Sequence, residues 1–219
     1  RFMMEKLILD ILEESEKKFA ETTAVKWLKK KEIYEIDYRG LMENVRSVRK
    51  GLSAEGFQEK HIALIGSSSV EWVESYLGII TGNTVAVPLD AMLPLGDLAD
   101  LINRSDSEAL FLSPKNQGLL DGILAQCPNL KRIWLLQEEI TEFSDGRVTC
   151  LGKLKETGRD AEADSERPQT EDIATIIFTS GTTGKSKGVM LTQGNLASNV
   201  LSVDFELEPG TVVLSVLPI

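Results

Sequence analysis

Thr179, Ser180, Gly181, Thr182, Thr183 and Gly184 form one unbroken run, and Lys185 and Lys187 follow directly. Four hydroxyls, two glycines and two ammonium groups so close together are the chemistry of a polyphosphate-binding loop. Gly181 and Gly184 let backbone approach anionic oxygens and adopt positive φ. Successive N–H groups in such a bend can line an anion-binding concavity. Lys187 supplies a point charge, and Lys185, between Gly184 and Ser186, is assigned to the loop rim. A plain polar turn uses the same residue types for conformational reasons, but it seldom needs all of these groups at once.

The elements that must position this loop are readable on either side. Ile173–Val189 (IATIIFTSGTTGKSKGV) begins as an apolar, strand-like run, breaks into the loop, and resumes an apolar run over Val189–Thr192. The segment Thr179–Ser186 (TSGTTGKS) is one residue short of the Walker pattern G-x-x-x-x-G-K-[ST], because Thr179 occupies the first glycine position. A Walker loop opens into a helix whose amino end faces the phosphates. The β-branched, apolar stretch after Lys187 predicts a strand instead, with a helix only from Asn195 and Asn195 as its cap.

Thr179–Val189 resembles the phosphate-binding loop of the adenylate-forming (AMP-binding) superfamily, TSGTTGxPKGV, with Ser186 where proline is usual and Gln193 where LTH is usual. Upstream, Ile36–Leu41 resembles that family's ITYxEL stretch. His61–Gly66 with Val70-Glu71-Trp72 resembles its VAIxxxNxxEW. Tyr76–Asp90 resembles xLAxxxAGAxxVPLD, departing at Asn83-Thr84. The likeness covers residues 5–219 and is greatest to long-chain fatty acyl-CoA synthetases.

The resemblance implies an enzyme that activates a carboxylic acid, fatty in the first instance, with ATP and Mg2+ to give an acyl-adenylate, then passes the acyl group to coenzyme A. It implies ATP phosphate contacts at Thr179, Ser180, Gly181, Thr182, Thr183, Gly184 and Lys187, with Lys187 stabilising phosphate charge. Thr179 is a candidate magnesium partner, and no protein metal site is expected. The family's adenine, ribose and acyl pockets and its mobile carboxyl-terminal domain would lie beyond Ile219. The 219 residues alone are therefore expected to be an amino-terminal fragment that binds ATP weakly and does not turn over. A Walker-type NTPase and a non-catalytic interaction domain are the alternatives; ATP–pyrophosphate exchange against orthophosphate release separates the ligase from the NTPase.

Composition restricts the classes further. Lys plus Arg number 24 against 34 Asp plus Glu, a formal charge of −10, which repels nucleic acid phosphates and anionic membranes. Two cysteines, Cys127 and Cys150, make no disulfide framework and point to a reducing compartment, so a cytoplasmic protein is expected. The longest apolar stretch, Tyr76–Leu89, is too short to span a bilayer and contains Gly78, Gly82 and Asn83. Oligomeric state is not legible.

Glu5–Phe19 places Leu7, Ile8, Ile11, Leu12 and Phe19 at helical spacing. Two short strands follow around Lys29–Glu32, then a second helix stripe over Leu41, Val45, Val48 and Leu52, ended by Gly56. Strands at 62–65, 85–88, 109–112 and 133–136 then alternate with helices at 70–80, 98–103 and 119–126. This pattern predicts an α/β fold, a parallel sheet flanked by helices, plus the start of a second sheet region at the hairpin. The expected division is residues 1–155 as an amino-terminal α/β subdomain, 156–172 as an acidic surface loop or linker, and 173–219 as hairpin, helix and a terminal buried strand, Thr211–Ile219. Ser68 and Glu71 read as a capping box, Asp90 as a turn or helix cap, and Trp27, Trp72 and Trp134 as packing residues. His61, the only histidine, supports neither a triad nor a zinc site.

Overall fold

The computed structural model describes residues 6–139, 141–179, 185–203, 208 and 210–215. Helix α1 (Ile8–Phe19) leads into a two-stranded antiparallel ribbon, β1 (Thr23–Lys29) and β2 (Glu32–Asp37). Asp37 then caps α2 (Tyr38–Ala54), its carboxylate accepting from the Gly40 amide at 2.8 Å. The stripe Leu41, Val45, Val48, Leu52 faces inward and is at most 5% exposed. Past the carboxyl end of α2, Gly56 adopts φ +85°, a conformation that glycine takes without strain.

From there the chain alternates: β3 (His61–Ile65), α3 (Val70–Ile80), β4 (Val85–Leu89), α4 (Leu95–Arg104), β5 (Ser107–Leu112), α5 (Leu120–Gln126), β6 (Arg132–Leu135), β7 (Val148–Cys150) and α6 (Leu151–Asp160). The hairpin β8 (Ile173–Thr179) and β9 (Lys187–Thr192) and helix α7 (Gln193–Ser202) complete it. Among the described residues the main sheet has seven strands in the order β7-β6-β5-β3-β4-β8-β9, parallel throughout except for β9. Successive βαβ units run from β3 first to one side and then to the other, so helices cover both faces. Ile62, Leu64, Phe111 and Trp134 bury one face beneath α1, α2, α3 and α6. Ala63, Ile65, Val87, Leu110 and Ile133 bury the other beneath α4 and α5.

Three expectations need correction. The hairpin does not start a second sheet: Ala86 of β4 pairs with Thr175 of β8, and the Thr175 hydroxyl donates to the Ala86 carbonyl at 2.8 Å, so the first sheet simply continues. Residues 156–160 are the end of α6, and the irregular segment starts at Ala161. That helix buries Leu151, Leu154, Lys155 and Gly158, an i, i+3, i+4, i+7 stripe disguised by one lysine and one glycine. Residues 211–215, expected to begin a buried strand, pair with nothing in the sheet, and Val212, Val213 and Leu214 are more than 70% exposed. Residues 216–219 lie outside the described residues.

The irregular segment is pinned along its length. Asp164 accepts both 2.8 and 2.6 Å bonds from the buried Arg49 guanidinium, Ser165 accepts from the Asn83 amide at 2.9 Å, and Arg167 pairs with Asp10. The outer edge beyond β4 is less well covered. Val189 and Met190 of β9, and Val200 and Leu201 of α7, are 43–63% exposed.

Two close contacts hold α6 in place. A Cβ added to Gly158 would sit 1.7 Å from the Ser47 carbonyl oxygen of α2, so the two helices touch backbone to backbone. Beside that contact Lys155, 1% exposed, donates to Glu74 of α3 at 2.5 Å and also to Glu138; Glu74 accepts from Asn44 of α2 at 2.8 Å. Burial pushes the Glu74 carboxyl up, against the pull of Lys155. Gly158→Ala must therefore push α6 off α2 and is expected to lower stability by about 1–3 kcal/mol in urea unfolding. Lys155→Met strands the Glu74 charge in the core, an expected loss of about 3–5 kcal/mol at about pH 7. Without its ammonium partner the raised Glu74 carboxyl holds its proton in the folded state where the unfolded chain has released it, so the variant loses stability as pH rises. Its deficit is expected to shrink toward about pH 5, and adding Glu74→Gln should recover part of it. A deficit that does not change with pH contradicts this account.

Candidate phosphate-binding site

The strand β8 is anchored on one side by β4 and on the other by β9, whose register pairs Thr179 with Lys187, Phe178 with Gly188 and Ile177 with Val189. Thr179 and Lys187 thus stand directly opposite each other where the loop leaves the sheet. Residues opposed in an antiparallel pair project from the same face, so the Thr179 and Lys187 side chains stand on one face of the hairpin, both exposed. Because β3 to β8 are parallel, their carboxyl ends share one edge, and the loop emerges there. That edge is where open α/β sheets bind ligands. Ser180, Gly181, Thr182, Thr183 and Gly184 lie outside the described residues. Lys185 is exposed.

A strand, not a helix, follows Lys187, so the Walker reading does not hold. The helix begins six residues later, at Gln193, and its cap differs from expectation. Thr192 caps α7, accepting from the Asn195 amide at 3.1 Å, while the Asn195 side chain accepts from the Thr192 amide at 3.1 Å. Asn195 is the reciprocal partner in a capping box rather than the cap itself. Gln193, the departure from LTH, is 1% exposed; its amide donates to the Asp172 carbonyl and its side chain to the Ile80 carbonyl, both at 2.8 Å. The hairpin's far end is therefore fixed to the irregular segment and to α3.

One residue at the site was not predicted. Arg104, the last residue of α4, donates from Nη2 to the Ser186 carbonyl at 2.7 Å, and its guanidinium carbon lies 5.6 Å from the Phe178 ring centroid. Nη1 donates to Asp100 at 3.2 Å. Eighty-two positions separate Arg104 from Ser186, and only the sheet order brings them together.

The remaining candidates are structural. Ser69, not Ser68, caps α3, accepting from the Trp72 amide at 3.1 Å. Asp90 closes a turn by accepting from the Met92 amide at 2.9 Å. His61, at the amino end of β3 and so at the edge opposite the loop, bonds through Nδ1 to the Ser105 carbonyl at 2.6 Å. Trp72 and Trp134 are buried; Trp27 is half-buried and stacks on Tyr34. Cys127 and Cys150 are buried and unpaired. Among the described residues no cluster of three or more His, Cys, Asp or Glu could hold a metal ion, and no helix is long and apolar enough to cross a membrane. Cavities of about 480 and 660 Å3 exist, the first beside Glu74 and Lys155, the second an apolar groove between α1, α3 and α7, and neither includes Thr179 or Lys187.

Comparison with known proteins bears on the family and the fold. The chain is 34% identical over 157 residues to long chain acyl-CoA synthetase 7, peroxisomal, of Arabidopsis thaliana, covering 68% of this chain and 22% of that protein. It is 28% identical over 202 residues to long-chain-fatty-acid–CoA ligase 5 of Rattus norvegicus, covering 84% of this chain and 30% of that one. It thus spans under a third of the length of these relatives. The adenylation domain of a carboxylate reductase from Mycobacterium chelonae superposes with a TM-score of 0.78 at 15% identity, covering 94% of this chain and 37% of that one. A long-chain-fatty-acid-CoA ligase from Archaeoglobus fulgidus gives 0.74 at 22%, covering 90% and 39%. At those identities the two structures speak for the fold alone. The family described as AMP-binding enzyme matches residues 12–219, nearly everything from the first helix onward, and the chain belongs to it.

Proposed function

We propose that this chain is the phosphate-binding portion of an ATP-dependent carboxylic acid:CoA ligase, which activates a fatty acid as its acyl-adenylate and transfers the acyl group to coenzyme A. The observation that carries the reading is the pairing of Thr179 with Lys187 across the root of a glycine- and hydroxyl-rich loop at the carboxyl edge of the sheet. The names of the relatives, long-chain acyl-CoA synthetases and ligases, support the choice of a fatty acid and of coenzyme A.

The chemistry asks one thing of these residues. When a carboxylate attacks the α-phosphorus of ATP, negative charge grows on the departing pyrophosphate. Fixed amides, hydroxyls and an ammonium aimed at its oxygens stabilise that change more than the ground state. Lys187 at about 4 Å would contribute on the order of 4 kcal/mol before desolvation, at an effective dielectric near 20. Thr179 and the Ser180–Gly184 stretch would supply the neutral donors. Magnesium arrives with the nucleotide, held by phosphates and water; the protein offers it Thr179 at most. The adenine, ribose and acyl contacts belong to other parts of a longer enzyme. The two unpaired thiols favour a reducing compartment such as the cytoplasm.

The test is acid-dependent ATP–pyrophosphate exchange by the intact protein over a panel of fatty and aromatic acids. Exchange that requires a fatty acid is the expected result. Orthophosphate release without exchange would overturn the reading. Lys187→Ala is expected to lower kcat/KM for exchange by about 10²–10³-fold while leaving the melting temperature within a degree or so of the parent, because Lys187 is exposed. An unchanged rate removes Lys187 from the mechanism.

A further inference from the structure

We infer that Arg104 is a positioning residue for Lys187, and that its grip on the Ser186 carbonyl supplies a backbone restraint that a serine at this position does not provide by itself. The inference rests on the phosphate-binding role proposed for the hairpin.

Its basis is geometric. The guanidinium touches both arms of the hairpin at the loop root: Phe178, the last apolar residue of β8, through its ring at 5.6 Å, and Ser186, the residue before β9, through a 2.7 Å bond from Nη2. Asp100, one turn back on α4, receives Nη1 at 3.2 Å and fixes the orientation of the fork. Phe178 has room to take the cation because its cross-strand partner is Gly188, where even a Cβ would lie 3.3 Å from the ring. The Ser186 carbonyl and the Lys187 amide belong to one planar peptide unit. Holding that carbonyl from one face of the hairpin therefore fixes the direction of the Lys187 amide and the Cα from which its side chain leaves on the other face. A proline at 186 would restrict the same place by locking φ near −65°. Serine does not, and the restraint comes from another element. A lysine at 104 could place a charge there but could not bond Ser186 and Asp100 through one rigid fork.

The decisive experiment is a cycle in the intact protein with Arg104→Ala, Arg104→Lys, Ser186→Pro and the double variant Arg104→Ala/Ser186→Pro. ATP–pyrophosphate exchange kinetics are read alongside amide hydrogen exchange of residues 185–190. Arg104→Ala is expected to lower kcat/KM for ATP about tenfold or more, the scale of a lost charged hydrogen bond. It should also speed amide exchange at 185–190 while leaving the core helices protected. Arg104→Lys should recover only part of both losses. Ser186→Pro should be near the parent by itself and should recover most of the loss in the double variant. If Arg104→Ala leaves kinetics and local amide exchange unchanged, or if proline recovers neither, the inference is wrong. Should the parent show no acid-dependent exchange at all, the ligase reading fails, and the amide-exchange arm still decides whether Arg104 and a proline at 186 do the same job.

Discussion

Everything proposed for the loop depends on the register of one antiparallel pair. Side chains on a strand alternate faces, so a slip of one residue between β8 and β9 would send Lys187 to the face opposite Thr179. Several independent contacts prevent it. Thr175 of β8 is tied to β4 by its hydroxyl, a bulge between Ile173 and Thr175 sets the phase, and the Thr192 cap stops β9 at its far end. Arg104 holds the near end.

Charge gives the same region its second property. The chain carries a formal −10, yet Lys185 and Lys187 lie on either side of Ser186 at the loop root, and Arg104 bonds the Ser186 carbonyl between them. Under the proposed role, these cations would draw a polyphosphate toward the loop against the protein's overall negative charge. The cations elsewhere are mostly committed: Arg49 to Asp164, Arg46 to Glu16, Lys155 to Glu74, Arg132 to Glu55. Those pairs hold elements together. The lysines at the loop have no such structural duty among the described contacts.

Much of this arrangement was legible in the chain itself. The βαβ alternation, the stripe of α2 and the strand–loop–strand character of the hairpin follow from local periodicity, and α3 begins and ends where its pattern says. What failed were features whose signal is not local. α6 hides its buried stripe behind Lys155 and Gly158, residues that look solvent-loving until Glu74 and the α2 backbone are placed against them. β7 is three residues long and gains its identity only from β6. The caps moved by a few residues: Ser69 for Ser68 and Thr192 for Asn195, because several adjacent hydroxyl and amide side chains compete for one role. Arg104 carries no sequence signature at all, since the end of α4 meets the loop only through the order of strands.

The bare rim of the sheet has a practical consequence. β9 is the last strand of the sheet among the described residues, and beside its unmatched amides and carbonyls stand Val189, Met190, Val200 and Leu201. Such a border is a template for another strand. Preparations of these 219 residues by themselves should thus be drawn toward clumping as they are concentrated, and a greasy, strand-hungry margin of this kind would explain turbid samples without any fault in the folded interior.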